Sequence, residues 1–179
     1  MKARSKLTAA MIAAIAVAGC STTQQPPTHD RVIATAGDAV LHAHDTNQQG
    51  PVPVATTPDK ILAALNAAYA DLGIEVKLWD PPHGQVGNRT FTKMYRIGGA
   101  PLSQYLGCGM TTNGDAADTY RVTMSLVSQV ASAAGGSTVQ TTLNAFAEDL
   151  ASSKGTVSCE SRGTLEDRLL QLAMRHLIS

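Results

Sequence analysis

The fold is decided by the stretch Tyr120-Arg121-Val122-Thr123-Met124-Ser125-Leu126. Apolar residues alternate there with polar ones, which is the period of a β-strand with one buried face. Gly135 and Gly136 then provide a turn, and residues 137–147 alternate again. The side chains expected on one face of this second run are Val139, Thr141, Leu143 and Ala145. The two runs predict a long antiparallel β-hairpin.

A helix is predicted before this hairpin, from about Pro58 to Leu72. Thr57 can cap it, proline suits the first helical position, and Gly73 can take the positive φ that ends a helix. Its apolar residues recur at helical spacing. They are Ile61, Leu65, Ala68, Tyr69 and Leu72. We therefore expect one face of this helix to be buried.

Shorter strands and a last helix complete the predicted fold. Residues 74–79 alternate, residues 85–92 follow a Pro/Gly turn, and residues 156–160 form a further strand. The last helix begins at Thr164, with Asp167 completing a capping-box arrangement. Its apolar face is Leu165, Leu169, Leu172, Ala173 and Leu177, together with His176. The sequence predicts a single α+β domain, with an antiparallel sheet of about four to five strands and two main helices packed on one face.

The amino-terminal residues have the parts of a secretory signal. Lys2, Arg4 and Lys6 form a basic start, and residues 7–19 are uncharged and apolar. That stretch is shorter than the about 20 residues of a transmembrane helix. It ends in Val17-Ala18-Gly19-Cys20, which resembles the lipobox of bacterial lipoproteins. The alternatives are a secreted protein with an unrelated cysteine and a buried helix.

The lipobox resemblance implies that cleavage precedes Cys20 and that the Cys20 thiol carries a diacylglycerol, with palmitate among the expected chains. The new amine would then be open to acylation, and two or more chains anchor a protein stably. The resemblance places the protein in the bacterial cell envelope, and Ser21 favours the periplasmic face of the outer membrane. The predicted organisation is a signal peptide over 1–19, a lipid-anchored tether with room for an edge strand over 20–56, and a globular domain over 57–179.

The charge balance bears on the partners of the mature protein. The chain has 14 basic and 14 acidic residues, and loss of the leader leaves 11 basic residues and a net charge of −3. Recognition of nucleic acid requires a clustered basic face, and attraction to an anionic membrane surface also requires basic residues. We therefore expect no nucleic-acid partner, and we assign membrane attachment to the lipid at Cys20.

Lipidation of Cys20 leaves Cys108 and Cys159 as an even pair. An even pair in an oxidising envelope favours a disulfide. A metal pair and two free buried thiols are the alternatives, but neither cysteine has a second cysteine or a histidine at ligand spacing nearby. We therefore predict a disulfide between Cys108 and Cys159.

Residues 57–88 combine a capped helix, the junction Leu72-Gly73-Ile74 and a strand that ends in a Pro/Gly turn. This order of elements is similar to modules of BamC-type outer-membrane assembly lipoproteins. The resemblance implies a helix-grip fold, in which helices pack on an antiparallel sheet. Cys108 and Cys159 are not part of that family's pattern, so the resemblance bears on the fold more than on the role.

The segment His42-Ala43-His44-Asp45 is the nearest approach to a metal motif. Residues two apart share a face of a strand, so His42 and His44 could bind one ion. A third ligand is needed, and Asp45 would point to the opposite face of a regular strand. We therefore prefer a solvated polar segment, and we expect no metal and no cofactor.

No catalytic set is found in the sequence. It has no Gly-x-Ser-x-Gly elbow, and Gly84-Gln85-Val86-Gly87 lacks the lysine of a phosphate loop. Glu160-Ser161-Arg162 and Glu166-Asp167-Arg168 are expected to be solvated charges near a helix start. His83 is expected to be exposed without a task, and His176 to have a structural role. The prediction is that the protein is not an enzyme.

Three hypotheses for function follow. The leading one is a lipid-anchored envelope domain that works through contact with another envelope protein, as an accessory or scaffold subunit. The second is a binding module that holds a small apolar or lipid ligand between helices and sheet. The third is a hydrolase, which requires a cleft that gathers titratable residues with perturbed pKa values.

Overall fold

The computed structural model describes residues 31–36, 39–43, 50–150 and 155–178. In these ranges the protein is a mixture of helix and mostly antiparallel sheet, which agrees with the predicted α+β class. The helices are α1 (Pro58–Asp71), α2 (Ala116–Thr119) and α3 (Thr164–Ile178), with 3₁₀ turns at Pro81–His83 and Leu102–Gln104. None of the described helices is long and apolar enough to cross a membrane.

The described residues form thirteen β-strands. They are β1 (Arg31–Ala36), β2 (Ala39–Ala43), β3 (Val52–Val54), β4 (Leu78–Asp80), β5 (Gln85–Met94), β6 (Arg96–Ile97), β7 (Ala100–Pro101), β8 (Leu106–Gly107), β9 (Met110–Thr111), β10 (Gly114–Asp115), β11 (Arg121–Ala133), β12 (Gly136–Glu148) and β13 (Thr156–Ser161). Strands β1 and β2 form a hairpin with each other.

The long hairpin predicted from the alternating sequence is confirmed. Strands β11 and β12 pair antiparallel from Arg121 opposite Glu148 to Ala133 opposite Gly136. Alternate residues of β11 face the core, and their exposed fractions are 0% for Val122, 2% for Met124 and 0% for Leu126. The hairpin lies at the centre of the main sheet, so its buried face is the floor of the core.

The main sheet has the strand order β4-β5-β11-β12-β13-β8, and β3 pairs with the first part of β12. All its pairings are antiparallel. The four longest strands, β5, β11, β12 and β13, correspond to predicted strands, and alternating patterns predicted β11 and β12. Strand β4 covers the end of the strand predicted over residues 74–79, whereas β3 and β8 have three and two residues, so the sequence offers too short a pattern to detect them.

Helices α1 and α3 contact each other and both contact the sheet. The predicted stripe of α1 is buried from Ile61 to Leu72. The helix ends where expected, with Gly73 at φ 66°. Thr57 occupies the cap position in an extended conformation, but its side chain makes no capping hydrogen bond. The helix is therefore held mainly by burial of its stripe.

Two segments differ from the predictions because their pairing is set by distant residues. Residues 74–77 are not a strand; Lys77 N donates to Gly87 O at 3.0 Å, and pairing with β5 begins at Leu78. Conversely, Val52–Val54, expected in the tether, is strand β3 opposite residues 137–139 of β12. Proline fits an edge strand because its missing N–H can lie on the unpaired side.

The start of α3 also differs from the expected capping box. Thr164 is the first helical residue, and its hydroxyl donates to Gln104 O at 2.8 Å. Asp167 N donates to Gly163 O at 3.1 Å. Thr164 therefore ties the helix to the 3₁₀ turn at Leu102–Gln104.

Candidate functional site

The predicted disulfide between Cys108 and Cys159 is present, with Cα atoms 4.2 Å apart. Both cysteines are buried. Cys159 lies in β13, and Cys108 follows β8, which pairs with β13 through Glu160 and Ser161. The bond therefore fixes the outer strand of the sheet to the strand beside it.

The other predicted site residues belong to the amino-terminal part of the chain. His42 lies in β2, where its backbone pairs with Val32. Cys20 and His44 lie outside the described residues. Within the residues that the structure describes, no group of three or more His, Cys, Asp or Glu is placed to hold a metal ion. A metal site at His42 and His44 stays a hypothesis from the sequence.

One end of the sheet carries exposed apolar side chains. Met94, Arg121, Glu148 and Thr156 are register partners, so they form one row across β5, β11, β12 and β13. Large apolar side chains lie on this row or within two residues of it, with exposed fractions of 40%, 56%, 58% and 42%. They are Met94, Tyr95, Leu150 and Val157, which we name the apolar rim.

At Val157 the apolar rim adjoins fully buried residues of the core. Val122 and Ala147 are register partners that are fully buried, and Val157 is the next residue in the same row, opposite Ala147. Val157 is nevertheless 42% exposed. The register places Val157 on the core face of the sheet, whereas Met94 shares the opposite face with Arg121 and Glu148, so the rim exposes apolar side chains on both faces at this end of the sheet. Exposed apolar surface of this kind is a mark of interaction sites when it is contiguous.

Tyr95 in the rim has an unusual backbone. Its φ is 65°, and it is the only described residue other than glycine with a positive φ. This conformation costs about 1–2 kcal/mol for a residue with a side chain. Its carbonyl accepts a hydrogen bond from Leu102 N at 3.0 Å, which helps to hold the turn. The fold thus keeps a large aromatic side chain exposed on a strained backbone.

A second surface feature is a cleft of about 610 Å³ along α3. Its wall opposite the helix comes from Gln104 and Tyr105. The helix contributes Thr164, Asp167, Arg168, Gln171, Leu172 and Arg175. These positions recur at intervals of three or four, so they form one stripe of the helix. The cleft is therefore lined by two cations, one carboxylate and two amides, and we name it the α3 cleft.

Arg168 is held in place at the centre of the α3 cleft. Its Nη1 donates to the hydroxyl oxygen of Tyr105 at 2.6 Å, and its Nη2 donates to Gly98 O at 2.7 Å. Gly98 has φ 54°, and a Cβ there would lie 2.6 Å from Leu72 Cδ2 and 3.6 Å from Arg168 Nη2. A Cβ at Gly98 would therefore overlap the Leu72 side chain but not the guanidinium, and the positive φ also favours glycine at this position.

Glu166 is buried, which corrects the expectation that it would be a solvated charge. Its exposed fraction is 5%, and Ser161 Oγ donates to its Oε1 at 2.6 Å. Its Oε2 is buried without a hydrogen-bond partner. Loss of hydration on burial raises the pKa of Glu166, and the Ser161 hydrogen bond opposes that rise. The carboxyl group fixes the start of α3 to the end of β13.

A buried polar chain joins α1 to the two central strands. The hydroxyl of Tyr69 lies 3.1 Å from Ser128 Oγ, which lies 2.8 Å from Thr141 Oγ1. Tyr69 and Ser128 are fully buried. Loss of hydration raises the pKa of the Tyr69 phenol well above its ordinary value. The group therefore stays neutral, and the chain is suited to fixing the fold rather than to proton transfer at neutral pH.

Two histidines lie within hydrogen-bond distance of aspartates on the surface. His83 Nδ1 lies 2.8 Å from Asp80 Oδ2 within the turn after β4. His176 Nε2 lies 2.8 Å from Asp71 Oδ2, which links the last turn of α3 to the end of α1. His176 thus has a structural contact, in line with the role expected for it. Neither pair is accompanied by a nucleophile in the hydrogen bonds described.

Sequence reasoning missed Glu166 and Arg168 as positioned residues. The signal for Glu166 was its helical spacing, because residues 166, 169 and 173 share a face and Leu169 and Ala173 are buried. Glu166 was nevertheless predicted to be solvated because it is a charged residue. Arg168 had no local signal, since its partners at Gly98 and Tyr105 are distant in sequence.

The chain was compared with protein-family profiles, with curated proteins and with solved structures. None of the three comparisons finds a match to this chain.

Proposed function

We propose that this protein is a lipid-anchored lipoprotein of the bacterial cell envelope, which acts as an accessory or scaffold subunit by contact with another envelope protein. Lipid at Cys20 attaches it to the periplasmic face of the outer membrane. The globular domain adopts a helix-grip-like arrangement and presents the apolar rim to its partner.

The apolar rim is the observation that carries this proposal. Tyr95 and Leu150 are more than half exposed, and Met94 and Val157 are 40% and 42% exposed. Aromatic and methionine side chains are enriched in protein interfaces. Met94 lies in the same register row as the ion pair between Arg121 and Glu148, which can fix the orientation of a partner. A surface that combines the apolar rim with a neighbouring ion pair is suited to contact with a protein.

The packing of the core supports contact at the surface over storage of a ligand inside. Ile61 and Leu65 of α1 and Leu126 of β11 are each fully buried in one continuous apolar cluster. Side chains thus occupy the space between α1 and the sheet. The α3 cleft lies on the outer side of α3 and has charged walls, which are poorly suited to a small apolar ligand.

Photo-crosslinking in cells tests the rim. p-Benzoylphenylalanine is introduced in place of Val157, and in a control protein in place of Thr90, which is exposed on β5. We expect a discrete crosslinked product of reproducible mass from position 157 and none from position 90. The proposal is wrong if both positions give the same pattern, or if position 157 gives no product at normal expression levels.

Metabolic labelling tests the anchor. Cells that express the full chain are grown with alkyne-modified palmitate, and the purified protein is probed for the label. We expect label on the unchanged chain and none on Cys20→Ser, while Cys108→Ser paired with Cys159→Ser keeps the label. Label that persists in Cys20→Ser would place the lipid elsewhere and overturn this part of the proposal.

A further inference from the structure

The α3 cleft contains a cation that is already oriented. Arginine has five N–H donors, and Arg168 uses Nη1 and Nη2 for Tyr105 and Gly98. The remaining donors of the same planar group are available to an anion in the cleft. Because the side chain is already held by these two bonds, little rotamer freedom is lost when an anion binds.

A second cation lies on the same face of the helix. Arg175 is seven residues after Arg168, which is two turns and a separation of about 10.5 Å along the axis. Arg175 is exposed, and within the described part of the chain it makes no ion pair or hydrogen bond. Asp167 is the one acidic residue that lines the cleft. The cleft therefore has a net charge of +1, with two separated positions for anions.

The other lining groups suit a polypeptide backbone. Gln104 and Gln171 offer amides that both donate and accept hydrogen bonds, and the buried side chains of Tyr105 and Leu172 provide an apolar floor. A polyproline II segment has no internal hydrogen bonds, so its backbone needs such partners. Its residues i and i+3 lie on one face and about 9.3 Å apart, which is close to the spacing of the two arginines.

We propose that the α3 cleft binds an extended acidic segment of a partner protein, with two carboxylates three residues apart that pair with Arg168 and Arg175. This inference deepens the proposed function, on which it rests, because it gives the chemistry of a second contact with the partner. Arg168 is the fixed anchor, and Arg175 closes on the second carboxylate.

Peptide binding to the full chain in detergent micelles tests this inference. The probe is a rhodamine-labelled peptide with the core Glu-Pro-Pro-Glu, followed by fluorescence anisotropy at low salt. Control peptides have Lys-Pro-Pro-Lys or Glu-Glu-Pro-Pro as the core. We expect saturable binding of the first peptide, weaker binding of the peptide with adjacent glutamates, and none of the lysine peptide. Binding should weaken as salt rises.

The matched variants are Arg175→Glu and Arg89→Glu, which change the net charge equally. Arg89 is exposed on β5, and the one hydrogen bond described for its guanidinium is with Gln85. Arg175→Glu should weaken binding about fivefold or more, since it removes an exposed pair and adds a repulsion, whereas Arg89→Glu should leave it nearly unchanged. Equal losses in the two variants, or no saturable binding, would overturn the inference. If crosslinks at Val157 persist without peptide binding, only this inference fails and the proposed function stands.

Discussion

The hydroxyl of Tyr69 on α1 lies 3.1 Å from Oγ of Ser128 on β11, and Ser128 in turn lies 2.8 Å from Thr141 on β12. Each of these groups is buried in an otherwise apolar core. Buried polar groups are tolerated when they are hydrogen-bonded, and they favour one arrangement of the surrounding elements. This series of hydrogen bonds therefore sets the position of α1 along the two central strands.

Tyr69→Phe should lower the free energy of unfolding by about 1–2 kcal/mol, because the hydrogen bonds of the buried hydroxyl with Ser128 Oγ and with the carbonyl oxygens of Leu126 and Val86 are lost while the ring stays in place. Tyr120→Phe is the matched control, since no hydrogen bond of the Tyr120 hydroxyl is described; it should change stability by less than about 0.5 kcal/mol. Urea denaturation followed by circular dichroism measures both. If Tyr69→Phe and Ser128→Ala prove additive when combined, the two groups are not coupled and this account is wrong.

Glu166 should make the protein less stable as the pH rises. Its pKa is raised in the folded state, so ionisation is easier after unfolding. Stability is therefore complete below the ordinary glutamate pKa of about 4.3 and declines as the pH rises from there through the folded pKa. Each unit of difference between the folded and unfolded pKa removes about 1.4 kcal/mol once the pH exceeds both.

Glu166→Gln removes this titration while its amide oxygen can still accept from Ser161. We expect the variant to gain stability relative to the unchanged chain as the pH rises from 4 to 8, measured by urea denaturation at each pH. Glu75→Gln is the control, because Glu75 is exposed and lies outside α3; it should keep the pH dependence of the unchanged chain. A constant difference between Glu166→Gln and the unchanged chain across this range would contradict the assigned pKa direction.

Substitutions at Gly84 and Gly73 can distinguish the cost of steric overlap from the cost of backbone strain. Their φ values are 67° and 66°, but a Cβ at Gly84 would lie 2.1 Å from Val130 O, whereas at Gly73 the nearest atom is Lys93 Nζ at 3.8 Å. Gly73→Ala should cost about 1–2 kcal/mol through strain alone. Gly84→Ala should cost several kcal/mol more, because the Val130 strand must shift. Thermal unfolding of both variants measures these losses of stability. Equal losses would show that the backbone around Gly84 shifts without cost, contrary to this prediction.

Removal of the disulfide should destabilise the domain. Cys108 and Cys159 are 51 positions apart, and loss of a native disulfide typically costs about 2–4 kcal/mol. The double variant Cys108→Ala with Cys159→Ala should therefore unfold at lower urea concentration than the oxidised chain. Reduction of the unchanged chain with dithiothreitol should shift its midpoint in the same direction. A double variant as stable as the oxidised chain would mean that sheet pairing alone secures β8.

Local patterns were sufficient for the elements whose burial repeats over many residues. The alternation from Val122 to Leu126 and the double glycine before β12 predicted the central hairpin, and the stripe of α1 predicted its buried face. The cysteine pair was predicted from the even number of remaining cysteines, the expected oxidising compartment and the lack of further ligands at metal-binding spacing. In each case several neighbouring residues pointed to the same structure, which is what makes a local pattern informative.

The remaining parts depend on distant partners. Strand β3 has three residues, and its pairing exists only because the edge of β12 is free at residues 137–139. The strands within residues 95–115 have two residues each, so they are too short to show a periodic pattern in the sequence. The apolar rim was not predicted, because its members come from three separate strand ends that only the register brings into one row.

The sulfur link described between β8 and β13 has a topological consequence. With the polypeptide, it closes a covalent ring that contains α2 and the whole of β11 and β12. Hydrolysis of a single peptide bond anywhere between Cys108 and Cys159 would open this ring without releasing a fragment. In a compartment with active proteases, the central hairpin could thus be nicked once while both parts of the chain remain one molecule.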